Sequence, residues 1–317
     1  MVDTHNRIID YLRISVTDRC NLRCCYCMPA HGVAKREHNE ILRAEEILEI
    51  ARAAADCGIR KLRVTGGEPL VRRGIVALCR DLAGIPGIEE LALTTNGALL
   101  PGMAADLKAA GVRRVNVSID SLRPERYTDI TRGGDLTKAV AGIRAAFAAG
   151  LTPVKLNAVL IGGVNDDEIV DIVELTRRYP LDVRFIELMP VGEGLPLWKS
   201  GYLPNETVLQ RVPALVPAPD ERGVARYYQL PGAPGRVGLI NPVSNHFCQS
   251  CNRLRLTADG MLKPCLHSAV EIPVRGLTGD ALRQEVRRAI LTKPEGRNEL
   301  SADSPSDAGR RMNQIGG

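Results

Sequence analysis

The chain has 317 residues, enough for one large domain or two small ones with a real core. Apolar residues at 44% and charged residues at 25% are the proportions of an ordinary globular protein. Aromatics at 3% leave too few rings for a base-stacking platform, and a net charge of +5 suits a small anionic ligand but is too weak for a nucleic-acid surface.

The N-terminal stretch "MVDTHNRIIDYLRISVTDRC" has no apolar leader segment, and no run of about 18 apolar residues occurs, so neither a secretory leader nor a membrane helix is expected. The chain reads as cytoplasmic. Residues 11–17 then read as a strand and 43–58 as an amphipathic helix closed by Gly58. Strands follow at 60–66, 89–97, 113–120, 153–161 and 182–189. Helices are expected at 74–85, 103–111, 136–150 and 166–180, the last capped by Asp166. Six β elements joined by helical crossovers predict a parallel sheet, either open and doubly wound or closed partway into a barrel. Polar residues gather at the C-terminal strand ends in "TGGE", "TTNG" and "SID", the edge where ligands bind in either architecture. After residue 190 the chain turns rich in Pro and Gly. The division expected is therefore 1–190, a second lobe over 191–291, and a polar tail over 292–317 whose composition suggests a flexible segment.

The cysteines are unevenly spread. Cys20, Cys24 and Cys27 fall in C-x3-C-x2-C spacing in the loop after the first strand. In a reducing compartment such clusters are metal ligands or redox groups more often than disulfides. Thiolates select zinc or iron–sulfur clusters. Structural zinc wants four ligands, and no fourth cysteine or histidine follows at finger spacing. Three ligands on a cubane leave one iron open for chemistry. Cys25, between two of them, is expected to be a non-ligand. A second group, Cys248, Cys251 and Cys265, allows either a zinc site completed by His246 or His267, or a second cluster with an open iron. Cys57 and Cys79 sit among apolar residues of helices and read as core.

The first group, with Tyr26 before its last cysteine and "TGGEP" (65–69) after the second strand, resembles the radical S-adenosylmethionine superfamily. Adding "LTTNG", "VNVSIDSL", "RFIELMP", "NHFCQSCNRLRLTADGMLKPCL" and the terminal "MNQIGG", the chain resembles in order and over nearly its whole length the GTP 3′,8-cyclase family, the A proteins of molybdenum cofactor biosynthesis. That resemblance implies an α/β fold, an incomplete (β/α)6 TIM-like barrel with a C-terminal region carrying the second cluster. It implies two [4Fe–4S] clusters, one on Cys20, Cys24 and Cys27 and one on Cys248, Cys251 and Cys265, with S-adenosylmethionine on the first. It implies a lyase acting on GTP, in which one-electron cleavage of S-adenosylmethionine gives a radical that takes a hydrogen from the GTP ribose. By the same resemblance Tyr26, Gly67, Ser118 and Met189 contact S-adenosylmethionine, with Asn96 and Asp120 near the same rim. GTP falls to Arg13, Arg63, Thr94, Lys155, Arg253, Arg255 and, by backbone alone, Leu254. Arg13, Arg253, Arg255 and the terminal Gly316 and Gly317 are the implied catalytic set. An anionic triphosphate gives a physical reason for charges on strands that would otherwise reach for solvent. The implied partners are a reductant such as flavodoxin or ferredoxin and, downstream, cyclic pyranopterin monophosphate synthase; a homodimer is the default expectation. The competing readings are another radical enzyme with an auxiliary cluster and an iron–sulfur electron carrier.

Overall fold

Short apolar strands alternate with amphipathic helices because each element must bury one face against the other. The computed structural model describes residues 1–33, 37–219, 223–301 and 303–316, with His38 described by its backbone alone. In chain order the first half runs β1 (Tyr11–Ser15), α1 (Ala44–Asp56), β2 (Lys61–Thr65), α2 (Ile75–Ala83), β3 (Glu90–Thr95), α3 (Ala104–Ala109) and β4 (Val112–Ser118). There follow α4 (Pro124–Thr131), α5 (Leu136–Ala148), β5 (Lys155–Leu160), α6 (Ile169–Arg178) and β6 (Asp182–Glu187). All six expected strands form and pair in parallel, β1 through β6 in sequence.

The helix stops follow local chemistry. Gly58 and Gly111 end α1 and the α3 segment in left-handed backbone, at φ 96° and 91°, which glycine adopts without a Cβ penalty. Two local expectations need correction. Asp166 does not cap α6; its carboxylate accepts from the Gly163 N–H at 2.7 Å and pairs with Arg211, and a 3-10 turn (Asp166–Glu168) precedes the helix. The helix α4 went unread, because "PERYTDIT" is mostly polar and buries only Tyr127, Ile130 and Thr131.

The C-terminal region extends the same sheet with its strands. After α7 (Gly194–Gly201) and α8 (Glu206–Arg211) it contributes β7 (Val216–Pro217), β8 (Ala225–Gln229), β9 (Arg236–Ile240), β10 (Arg253–Leu256), β11 (Met261–Lys263) and β12 (Ile272–Pro273), then α9 (Gly279–Leu291). The sheet order is β12-β11-β10-β1-β2-β3-β4-β5-β6-β9-β8-β7. Strand β9 pairs in parallel with β6, and β10 with β1. The six-stranded sheet would have left backbone donors and acceptors bare at both edges, and the later strands satisfy them. Helix α9 packs back on α1. Among the described residues the terminal strands β12 and β7 do not pair, so the barrel is incomplete. No helix of the described residues is long and apolar enough to cross a membrane.

Strand alternation decides which side chains face the barrel interior. On β1, β2 and β10 the leucines Leu12, Leu62 and Leu254 are fully buried in the hydrophobic core, in one register row. The next residues, Arg255, Arg13 and Arg63, form the adjacent row across the same three strands and face inward. Leu254 thus packs away from the cavity, leaving only its backbone near the arginines.

Gly142 of α5 shows how tightly the outer layer sits. A Cβ added there would lie 2.0 Å from the Gly97 carbonyl oxygen. Gly142→Ala is expected to destabilise the chain by about 1–3 kcal/mol, as overpacking in a filled interior does, read as a lower denaturation midpoint in guanidinium.

Candidate active site

The loop leaving β1 carries Cys20, Cys24 and Cys27. It is held on one side by the "TGGEP" loop leaving β2, where the Gly67 N–H donates to the Thr17 carbonyl at 2.8 Å and the Glu68 N–H to the Arg19 carbonyl at 2.8 Å. A Cβ at Gly67 would stand 2.4 Å from the Arg19 carbonyl oxygen, so only glycine allows this approach. On the other side the end of α4 supplies carbonyl acceptors. Ile130 accepts from the Cys25 N–H at 2.9 Å and Thr131 from the Arg23 N–H at 3.0 Å. The three cysteines line one chamber with Tyr26, Gly67, Thr94, Asn96, Ser118, Asp120 and Met189. Cys25 is not in its lining. Tyr26 donates its hydroxyl to Asp120 at 2.7 Å, and the buried Glu68 accepts from Thr95 and from the Asn96 and Leu70 N–H groups. Burial lifts the Asp120 carboxyl to about 6 and that of Glu68 to about 7, against the pull of these hydrogen bonds.

The thiols fit a multinuclear metal group. Burial pushes Cys20 up to about 11 and Cys27 to about 12, and Cys24 well above the ordinary thiol value; the neighbouring thiolates add repulsion at Cys24 and Cys27. Bound metal cations would remove that repulsion and deprotonate the thiols. Among the described residues no three His, Cys, Asp or Glu side chains are placed to hold a single ion. A cluster attaches each thiolate to a different iron, so its ligands stand farther apart than those of one ion.

Cys248, Cys251 and Cys265 line a second chamber. Two buried cations brace their segments through backbone carbonyls. Arg7, ion-paired with Asp3 at 2.7 Å, donates to the carbonyls of Cys248 at 2.8 Å, Pro294 at 2.7 Å and Glu295 at 2.9 Å. Lys293 donates to those of Arg253 at 2.9 Å and Pro264 at 2.7 Å. Burial alone would raise the Cys251 thiol; the charges of Arg253 and Lys293 and hydrogen bonds from Arg253 overcome it and bring it down to about 6. His246 and His267 also line this chamber. Burial and the surrounding arginines lower His267 to about 3, so its ring is neutral, and its Nδ1 lies 3.0 Å from the Ser306 hydroxyl.

Among the described residues, seven Arg and Lys side chains and no carboxylate line this second chamber, including Arg13, Arg63, Arg253 and Arg255. Burial first, then Arg255 and Arg63 beside it, pull Arg13 well below its ordinary value. The chamber shares Asn157, Ile186, Met189 and Met312 with the first, and Arg63, Arg184, Val224 and Arg253 with a third that also contains Lys61, Arg114 and Lys155. The three therefore run in line: cysteine loop, second cysteine loop with arginines, basic chamber. Of the expected nucleotide residues, Thr94 lies instead in the first chamber. Lys155 lines the third, but it already holds an ion pair with Asp182 at 3.0 Å and contacts the Tyr227 hydroxyl at 3.0 Å. Sequence reasoning passed over Lys61, Asn157 and Arg184, each on the inward face of an expected strand; strand alternation counted from Arg63, Lys155 and Asp182 would have found them.

The tail departs from its composition. Arg310 pairs with Asp259 at 2.9 Å and Glu271 at 2.6 Å, and Ile315 is buried, a contribution of about 1.5–3 kcal/mol to docking. Arg255 then donates to the Ile315 and Gly316 carbonyls at 3.0 and 2.8 Å. Gly316, at φ 69°, leaves no room for a Cβ against Thr65. Gly317 lies outside the described residues.

Arg7→Met is expected to strip the Cys248 loop of its brace. With outer-shell losses of about 10–100-fold in metal affinity, anaerobic iron analysis after gel filtration should show about half the wild-type iron. Full iron content would show that the Cys248 loop holds its shape without Arg7.

Residues 14–176 match the family model described as Radical SAM superfamily, and residues 181–299 match Molybdenum Cofactor Synthesis C. The chain is 54% identical over 321 residues to the GTP 3′,8-cyclase of Alkaliphilus oremlandii and 44% identical over 320 residues to that of Clostridium botulinum, covering 100% of both chains in each case. Among solved structures, Streptococcus suis SuiB bound to precursor peptide SuiA superimposes with TM-score 0.65 at 15% identity, covering 92% of this chain and 67% of that one; this is a likeness of fold. With both family models in order and full-length relatives at this identity, the chain belongs to the GTP 3′,8-cyclase family of the radical SAM superfamily.

Proposed function

We propose that the chain converts GTP to (8S)-3′,8-cyclo-7,8-dihydroguanosine 5′-triphosphate, the first step of molybdenum cofactor biosynthesis. The observation that carries this reading is the joining of a three-thiol chamber to a chamber whose described lining holds seven Arg and Lys side chains and no carboxylate, through a partition of Asn157, Ile186, Met189 and Met312. Cys20, Cys24 and Cys27 would hold a [4Fe–4S] cluster that, with S-adenosylmethionine bound, would supply one-electron cleavage of that cofactor, and Cys248, Cys251 and Cys265 would hold a second cluster.

This chain's residues do the rest. Gly67 brings backbone polar groups close to the cofactor, and Tyr26, Ser118 and Met189 form its walls. Arg13, Arg63, Arg253 and Arg255 bind the nucleotide, joined by Lys61 and Arg184, whose third chamber suits the triphosphate with its many anionic oxygens. Lys155, neutralised by Asp182, shapes that chamber. Thr94 faces the cofactor side. The base then lies by the second cysteine loop and the ribose at the partition, next to the cofactor chamber. Fixed charges hold the reacting groups together at this junction. Gly316 and Gly317 enter the crowded site because they carry no side chain. The electron would come from an external one-electron donor of flavodoxin or ferredoxin type, and cyclic pyranopterin monophosphate synthase would take the product.

The test is anaerobic incubation of reconstituted protein with dithionite, S-adenosylmethionine and GTP, following 5′-deoxyadenosine. Formation that depends on GTP, with loss of GTP to a cyclised product, supports the reading; cofactor cleavage indifferent to GTP removes GTP as substrate. Removing Gly316 and Gly317 is expected to abolish cyclisation with iron content unchanged, and full activity after truncation would exclude the tail from catalysis. Arg63→Met is expected to weaken GTP binding about 10–100-fold, the loss of a charge-assisted contact, measured by equilibrium dialysis.

A further inference from the structure

The tail reaches the first chamber as well as the second. Met312 and Asn313 both line the chamber of Cys20, Cys24 and Cys27. Asn313 is 1% exposed. Its backbone N–H lowers the Cys27 thiol against the effect of burial, which places the two residues side by side, and its Nδ2 donates to the Asp18 carbonyl at 3.1 Å. The bond to Asp18 fixes the amide's orientation. Its Oδ1 is left buried, with no hydrogen-bond partner. A buried acceptor without a donor is rare in a folded chain and points to a group that arrives later.

Where the oxygen sits says what that group is. The Asp18 carbonyl that holds Asn313 is also one of the atoms nearest a Cβ built on Gly67, at 2.8 Å. Asn313 therefore stands at the part of the chamber shared by Cys27 and Gly67. By the family resemblance, the glycine-rich segment that holds Gly67 meets the methionine part of the cofactor, where a residue without a side chain lets an amino-acid group come close to the backbone. An amide oxygen accepts and never donates, and the donor on an amino-acid moiety is its amino group.

We propose that Asn313 is a positioning residue for the cofactor: its Oδ1 accepts a hydrogen bond from the amino group of S-adenosylmethionine, so the C-terminal tail completes the cofactor site. This rests on the reading of the first chamber as the S-adenosylmethionine site. A docked tail is then a requirement for tight cofactor binding, and the same segment that bonds Arg255 in the arginine chamber seals the cofactor chamber.

Anaerobic equilibrium dialysis of the reconstituted full chain tests it, with S-adenosylmethionine and with 5′-methylthioadenosine, which keeps the adenosine and lacks the amino-acid part. Asn313→Leu should raise the Kd for S-adenosylmethionine about tenfold or more, the loss of a bond to a charged donor, and leave that for 5′-methylthioadenosine unchanged. Asn313→Ala should behave alike, guarding against a misfolded leucine variant. Equal weakening of both ligands would overturn the proposal, since it marks general disruption. Unchanged S-adenosylmethionine binding in both variants would overturn it while leaving the first chamber's assignment intact. Wild-type protein that holds its iron yet binds no S-adenosylmethionine would overturn that assignment and this inference with it.

Discussion

Three arginines in one register row, Arg255, Arg13 and Arg63 on adjacent parallel strands, set the terms for the rest of the molecule. Strands lie about 4.8 Å apart, and unit charges at that spacing repel by about 3 kcal/mol at an effective dielectric of about 20. Burial and then neighbouring charge bring Arg255 down to about 10, and burial brings Arg63 to about 10. A fold carries such a row only if something answers it. Part of the answer is internal: the Tyr11 ring lies 5.3 Å from the Arg63 guanidinium carbon, and Arg255 reaches the tail carbonyls. On the proposed reading an anionic ligand also answers the row, which makes it a binding feature.

The same constraint explains the topology. Without β10 the row would be two arginines at a bare sheet edge, open to water and weak. The C-terminal strand closes that edge and brings the third arginine, with Cys251 two residues before Arg253. The second cysteine loop is thereby tied to the arginine row by chain connectivity. Its remaining freedom is taken up by Arg7 and Lys293, whose charges are met by backbone carbonyls. Arg7 near the N-terminus and the C-terminal region thus meet around one site.

The tail follows from the row as well. Residues 310–316 are polar and glycine-containing and would not fold alone. They dock because Arg310 finds Asp259 and Glu271, because Ile315 finds a buried place, and because Arg255 needs carbonyl oxygens. In docking, the segment lies across both chambers, with Met312 in the partition, so one short piece of chain contacts the surroundings of both cysteine groups.

The strand and helix alternation, the glycine stops at Gly58 and Gly111, and the two cysteine groups were legible in the sequence because each depends on residues close together in the chain. Even there a weakly amphipathic helix such as α4 escaped, since its place is set by the cysteine loop that it supports. The strands of the C-terminal region were not legible, being two to five residues long and defined by partners far away, Arg13 with Arg255 across more than half the chain. The assignment of Lys155 to an ion pair and the docking of Asn313 and Ile315 were out of reach for the same reason. Sequence by itself determined the chemistry available to this protein: thiolates in threes, glycines where backbones meet, and arginines on strands. Tertiary structure alone decided which of those groups share a chamber, because register and burial arise from pairing between distant segments and not from the order of residues along any one of them.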